Sequence, residues 1–142
     1  MKKAMAFLCA VVFMYALGVV LITQFNISRI TDLGYSIALS TRLHTSVHDW
    51  LGMLSSYLPL IAFAFAFAFL FTGLFLQRFM APSAALYALA GFVAILALHL
   101  IANFVFGIVA IAPTRTLLGL AVQAMVGGFA GYLFYRLAWK AT

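Results

Sequence analysis

Four long apolar runs alternate with short polar segments along this chain. They cover residues 4–23, 57–76, 84–112 and 117–139. Each run reaches the roughly 20 residues that an α-helix needs to cross a bilayer. Because a helix pairs its own backbone groups and lipid offers no partners for them, helices are the expected form in such a solvent. The pattern predicts an all-α polytopic membrane protein, an antiparallel bundle of four transmembrane helices.

The polar breaks indicate one integral membrane domain over residues 1–142. Within it we expect a first transmembrane helix at 4–23 and an outer segment at 24–50. Three further transmembrane helices are expected at 51–77, 83–107 and 115–139. The short breaks before the third and fourth transmembrane helices make both of them antiparallel neighbours of the helix before.

The residue pattern of the outer segment, 24–50, predicts helices outside the bilayer. Its first part, residues 26–40, has weak helical spacing and predicts a short surface helix. From Leu43 onward, apolar residues recur every fourth position through Val47 to Leu51. We therefore expect the second helix to begin near Thr41, outside the bilayer, and to be extended and kinked at Pro59.

Composition supports lipid as the solvent of this chain. Of its 142 residues, 68% are hydrophobic and 7% are charged, whereas soluble domains carry about 25% charged residues. The net charge of +6 is spread over loops and helix ends, so binding to nucleic acid is not expected. The single cysteine, Cys9, excludes a dithiol oxidoreductase, and the absence of glutamate excludes small multidrug transporters that need a membrane-embedded one.

Basic residues favour one orientation in the membrane. Five of them fall on the side of the N-terminus: Lys2, Lys3, Arg78, Arg136 and Lys140. Three fall on the other side, together with both acids of the chain: Arg29, Arg42, Arg115, Asp32 and Asp49. The positive-inside rule then places both termini in the cytoplasm. The lysine-rich start and the short loops favour a bacterial inner membrane.

Two helices carry polar or small residues on one face. His99 and Asn103 lie one turn apart on the third transmembrane helix, and the fourth carries a stripe with i+4 spacing: Gly119, Gln123, Gly127 and Gly131. The glycines predict close helix packing, within the bundle or between copies of the chain. We expect Gln123 to bond His99 or Asn103 as an interhelical clamp, and the alternative is a ligand or proton site.

A third feature lies in the outer segment. His44 and His48 share a helical face and Asp49 is adjacent, so the three could bind zinc, although the HExxH motif is absent. The alternative is a solvated amphipathic helix. Arg115 begins the last helix, where a cation is unfavourable. We expect it to pair with Asp49, or to form with Arg42 an anion site for a lipid phosphate.

These features favour a small non-enzymatic membrane protein, an accessory subunit or a lipid-binding protein. Its expected partners are membrane lipids, other membrane subunits or further copies of itself, and no cofactor is expected unless zinc binds. The alternative is a small oligomeric channel or transporter that uses His99, Asn103 and Gln123. A second alternative is a lipid-modifying or metal-dependent enzyme that uses His44, His48 and Asp49.

Overall fold

A computed structural model describes residues 2–106 and 116–140 of the chain. In these ranges it forms five α-helices: α1 (Lys2–Asp32), α2 (Leu39–Gly52), α3 (Tyr57–Leu74), α4 (Ala84–Phe106) and α5 (Leu117–Tyr135), which continues as a π-helical turn, Arg136–Lys140. Four of these described helices, α1, α3, α4 and α5, are long and apolar enough to span a membrane. The predicted all-α architecture with four membrane-spanning helices is confirmed.

The four long helices run alternately up and down around a common core. Each helix packs on the next in the order α1, α3, α4 and α5, and α5 returns to α1. Lys3 of α1 meets Trp139 after α5, and Gly18 of α1 meets Gln123 of α5, so these two helices are antiparallel. We call the end with Lys3 and Trp139 the terminal end, and the opposite one the α2 end.

Glycines bring α4 and α5 into backbone contact. A Cβ atom added to Gly131 would lie 2.0 Å from the carbonyl oxygen of Tyr87, and one added to Gly91 would lie 2.2 Å from that of Gly127. Gly119 is buried at the start of α5, where its N–H donates to the Thr116 hydroxyl over 3.1 Å and caps the helix. Gly127 and Gly131 of the glycine stripe thus pack within the bundle, against α4.

The first helix extends beyond its apolar run. It continues from Thr23 to Asp32, and a turn at Gly34, whose φ of +92° suits glycine, leads into α2. Bonds from Thr23 to Asp49 and from Gln24 to Ser46 place α2 antiparallel to the end of α1. The short helix expected over residues 26–40 lies further along the chain, as α2, because residues 26–32 continue α1. Together α2 and the end of α1 form a helical hairpin.

The second predicted helix is divided into two helices, whereas the sequence predicted one helix with a kink. It ends at Gly52 as α2, turns through Met53–Ser56, and resumes at Tyr57 as α3. Pro59 lies in the first turn of α3, where its missing N–H leaves no intrahelical bond unmade. Its ring would clash with the carbonyl of Ser55 four residues earlier in a continuous helix. The break falls at that residue.

Candidate functional site

Most of the buried polar side chains of the described residues lie toward the α2 end of the bundle, in two layers. The deeper layer lies between the membrane-spanning helices and consists of Tyr15, Tyr57, His99 and Gln123, all buried. The upper layer joins α1 to α2 and consists of Thr23, Gln24, Ser46 and Asp49. Buried polar groups are costly in an apolar medium, so the partners of each one define what this site can do.

Gln123 joins α5 to the backbone of α1. Its side chain is fully buried, and Nε2 donates to the carbonyl oxygen of Gly18 over 2.9 Å. Because a Cβ atom on Gly18 would lie 3.2 Å from Oε1 of Gln123, glycine gives the amide its room. The expected bond from Gln123 to His99 or Asn103 is wrong, since the amide reaches α1. No described residue donates a hydrogen bond to Oε1.

His99 joins α4 to the start of α3. Its Nδ1 donates to the carbonyl oxygen of Ile95 over 2.8 Å, which leaves Nε2 as the acceptor in a neutral imidazole. The Tyr57 hydroxyl lies 3.5 Å from Nε2 and donates to it. Asn103 lies one turn further along α4 and is half-buried. His99 therefore acts as an interhelical clamp, but with Tyr57 as its partner.

The upper layer fastens α2 to α1 through polar groups. The Thr23 hydroxyl donates to Oδ2 of Asp49 over 2.8 Å, and Nε2 of Gln24 donates to the Ser46 hydroxyl over 3.1 Å. The Tyr15 hydroxyl donates to the carbonyl oxygen of Trp50. Tyr15, Tyr57 and Thr23 were not predicted from the sequence as residues of a site. The signal was present for two of them, because Tyr15 and Thr23 lie on one face of α1, two turns apart.

The helix α2 has three faces, and its apolar face points outward. Ser46 and Asp49 face α1, while His44 and His48 lie on an exposed polar face. Between these faces runs an exposed apolar stripe, Leu39, Leu43, Val47 and Leu51, whose side chains are 71%, 61%, 60% and 62% exposed. None of the residues of α2, all of which the structure describes, is buried. The helix thus packs on the bundle with Ser46, Asp49 and the ring of Trp50, and leaves its apolar stripe uncovered.

The predicted outer patch is brought together only in part. Nδ1 of His48 lies 3.8 Å from Oδ1 of Asp49, and His44 is exposed one turn away. Within residues 2–106 and 116–140, no three His, Cys, Asp or Glu side chains lie close enough to hold one metal ion. Arg115 lies outside the described residues, so its pairing with Asp49 and the anion site with Arg42 stay predictions.

Comparisons of the chain with protein-family models, with curated proteins and with solved structures find no match. The exposed stripe of α2 and the polar groups beneath it are therefore the features of the molecule that bear on its function.

Proposed function

We propose that this protein is a non-enzymatic accessory subunit of a membrane complex, and that the apolar stripe of α2 binds its partner protein. The observation that supports the proposal is the outward apolar face of α2. Exposed apolar patches on a folded protein are typical of interaction sites. A helix that turns its hydrogen-bonding side inward leaves its stripe available to another helix or groove.

The length of α1 sets the depth of this stripe. Its 31 residues extend about 46 Å at roughly 1.5 Å per residue, well beyond a hydrocarbon core of about 30 Å. With Lys3 at one interface, the other interface falls near Thr23, because about 20 residues cross the core. Polar residues then follow as far as Asp32: Gln24, Asn26, Ser28, Arg29 and Thr31. The hairpin of α1 and α2 thus extends past the hydrocarbon.

The first half of the stripe, Leu39 and Leu43, lies outside the hydrocarbon and has no lipid chains to cover it, because Ser46 already bonds Gln24 just beyond the interface. Burial of one such side chain is worth about 1.5–3 kcal/mol, so a partner that covers Leu39, Leu43 and Val47 gains several times this amount before the costs of association. The tip of the hairpin adds further exposed apolar area at Leu33 and Tyr35. The stripe repeats every fourth residue, a spacing typical of helices that dock in a groove.

Site-specific photocrosslinking in native membranes tests the proposal. A photoreactive residue at Val47 is expected to give a discrete protein adduct, whereas one at the adjacent His48, on the polar face, is not. Phe63 is 74% exposed on α3 and serves as the lipid-facing control. Leu43→Glu should abolish the Val47 adduct without lowering the melting temperature of the purified protein, because Leu43 is exposed. Lipid adducts alone at both Val47 and Phe63 would contradict the proposal.

One observation favours a second candidate, a small oligomeric channel or transporter. Oε1 of Gln123 is buried among the membrane-spanning helices without a hydrogen-bond donor in the described part of the chain. An acceptor left free at that depth suits a passing proton carrier or a small polar solute. Proton flux into liposomes that contain the protein would support this candidate, provided that Gln123→Met, which keeps the side-chain length, removes the flux.

A further inference from the structure

A cavity opens between α1 and α3 at the terminal end, away from the α2 hairpin. Its volume is about 440 Å³, within the roughly 300–1,000 Å³ of small-molecule sites. Small residues on the two facing helices leave the space, Ala4 on α1 with Ala66 and Gly73 on α3. Phe69, Tyr87 and Trp139 line it as well.

The walls of this cavity are apolar, and its charge lies at one edge. Lys3 is the one charged residue among those that line it, and its Nζ lies 4.6 Å from the centre of the Trp139 ring. This cation–π contact fixes the ammonium group beside the opening. A chain of methylene groups fits the remainder, since aromatic and aliphatic side chains surround it.

The positive charge of the terminal end favours a lipid with an anionic headgroup. Lys2, Lys3, Arg78 and Arg136 lie at this end, while both side-chain carboxylates of the sequence, Asp32 and Asp49, lie at the α2 end. No Asp or Glu side chain therefore neutralises Lys3, and an anion at the membrane surface can take that place. A neutral flat ligand would satisfy the walls of the cavity but not the ammonium group.

We infer that the cavity binds one anionic phospholipid, with an acyl chain between α1 and α3 and the phosphate at Lys3. This site is separate from the α2 stripe, so it stands or fails independently of the proposed accessory role. It also differs from the predicted anion site of Arg42 and Arg115, since Arg42 belongs to α2 at the opposite end of the bundle.

Native mass spectrometry of the full protein with phosphatidylglycerol or phosphatidylcholine of identical acyl chains tests the inference. Wild type is expected to bind phosphatidylglycerol more tightly, and Lys3→Gln should weaken that binding about fivefold, the worth of one basic residue at a lipid surface. Lys2→Gln is the matched control, because it removes the same charge at the same end from a residue that does not line the cavity.

A second pair of variants tests the apolar part of the site. Gly73→Leu fills the cavity, since a Cβ atom there already lies 3.6 Å from the Tyr87 hydroxyl oxygen, and Ala66→Leu fills it from about two turns earlier in α3. Either variant that keeps the wild-type melting temperature should lose the bound phosphatidylglycerol. Equal losses in Lys2→Gln and Lys3→Gln, or lipid retained by the folded filled variants, would overturn the inference. So would a bound ligand that is neutral.

Discussion

The two helical hairpins of this protein are held together in opposite ways. In the pair of α4 and α5, backbone touches backbone, and the carbonyls of Tyr87 and Gly91 occupy the space where side chains of α5 would stand. In the pair of α1 and α2, hydrogen bonds of polar side chains are joined by one aromatic contact, Trp50 on Tyr15, and no residue of α2 is buried among the described residues. One hairpin is packed backbone against backbone, and the other is attached by hydrogen bonds and this aromatic contact.

The helices that give the bundle its stability are therefore not the helix whose surface is free to bind a partner. Backbone contact leaves no room for adjustment, so α4 and α5 form a rigid unit on which the other membrane-spanning helices pack. A few hydrogen bonds, each worth about 0.5–1.5 kcal/mol, hold α2 in place but leave its apolar stripe free. Binding elements are commonly drawn from the less stable parts of a protein. The weak attachment of α2 agrees with the partner-binding role proposed for it.

The largest effect is expected from alanine at Gly131. The new Cβ atom would lie 2.0 Å from the Tyr87 carbonyl oxygen, and backbone cannot yield without separating the two helices. We expect Gly131→Ala to lower the free energy of unfolding in detergent by about 3 kcal/mol.

The matched control for that change is Gly128→Ala on the same helix. Its Cβ atom would lie 3.4 Å from the nearest atom, the carbonyl oxygen of Ala88, which is ordinary contact. This variant should unfold like wild type, or gain up to about 1 kcal/mol because alanine favours the helix. If both alanine variants unfold alike, close backbone contact does not set the stability of α4 and α5.

A smaller effect is expected at Gln123, where the rigid pair meets α1. Gln123→Ala removes the bond to Gly18 and leaves a cavity, which should cost about 2 kcal/mol of unfolding free energy. Gln123→Met keeps the volume and removes the acceptor that lacks a donor, so its cost should stay below about 1.5 kcal/mol. Chemical unfolding of both variants in the same detergent measures the difference. A methionine variant as unstable as the alanine variant would mean that the hydrogen bond outweighs packing.

The sequence was sufficient for the spans but not for the partners of the polar groups. Apolar runs identify membrane-spanning helices because backbone N–H and C=O groups in lipid must bond to each other, which a single segment does by forming a helix. The stripe of Gly127 and Gly131 likewise indicated close packing, which depends on the mere absence of side chains. The partner of Gln123 was missed because a backbone carbonyl accepts the bond, and any residue has one. Only the three-dimensional fold shows that Gly18 leaves its carbonyl accessible.

The break before α3 was missed for a related reason. A proline near the start of a helix can kink a longer helix or begin a new one, and both outcomes satisfy the same apolar periodicity. The sequence also did not predict that the stripe from Leu39 to Leu51 faces away from the bundle. Periodicity shows that a helix has an apolar face, whereas the hydrogen bonds of Ser46 and Asp49 show which face meets α1.

The smallest effect is expected from Thr23→Val, which probes how α2 is attached. The substitution keeps the buried volume at Thr23 and removes the hydroxyl that donates to Asp49. Global unfolding should change by less than about 1 kcal/mol, while the amide protons of α2 should exchange about fivefold faster, the equivalent of one lost hydrogen bond. Thr72→Val is the matched control, because Thr72 is equally buried in α3. Unchanged exchange in α2 would indicate that packing holds this helix too, and the contrast between the two hairpins would then be one of degree.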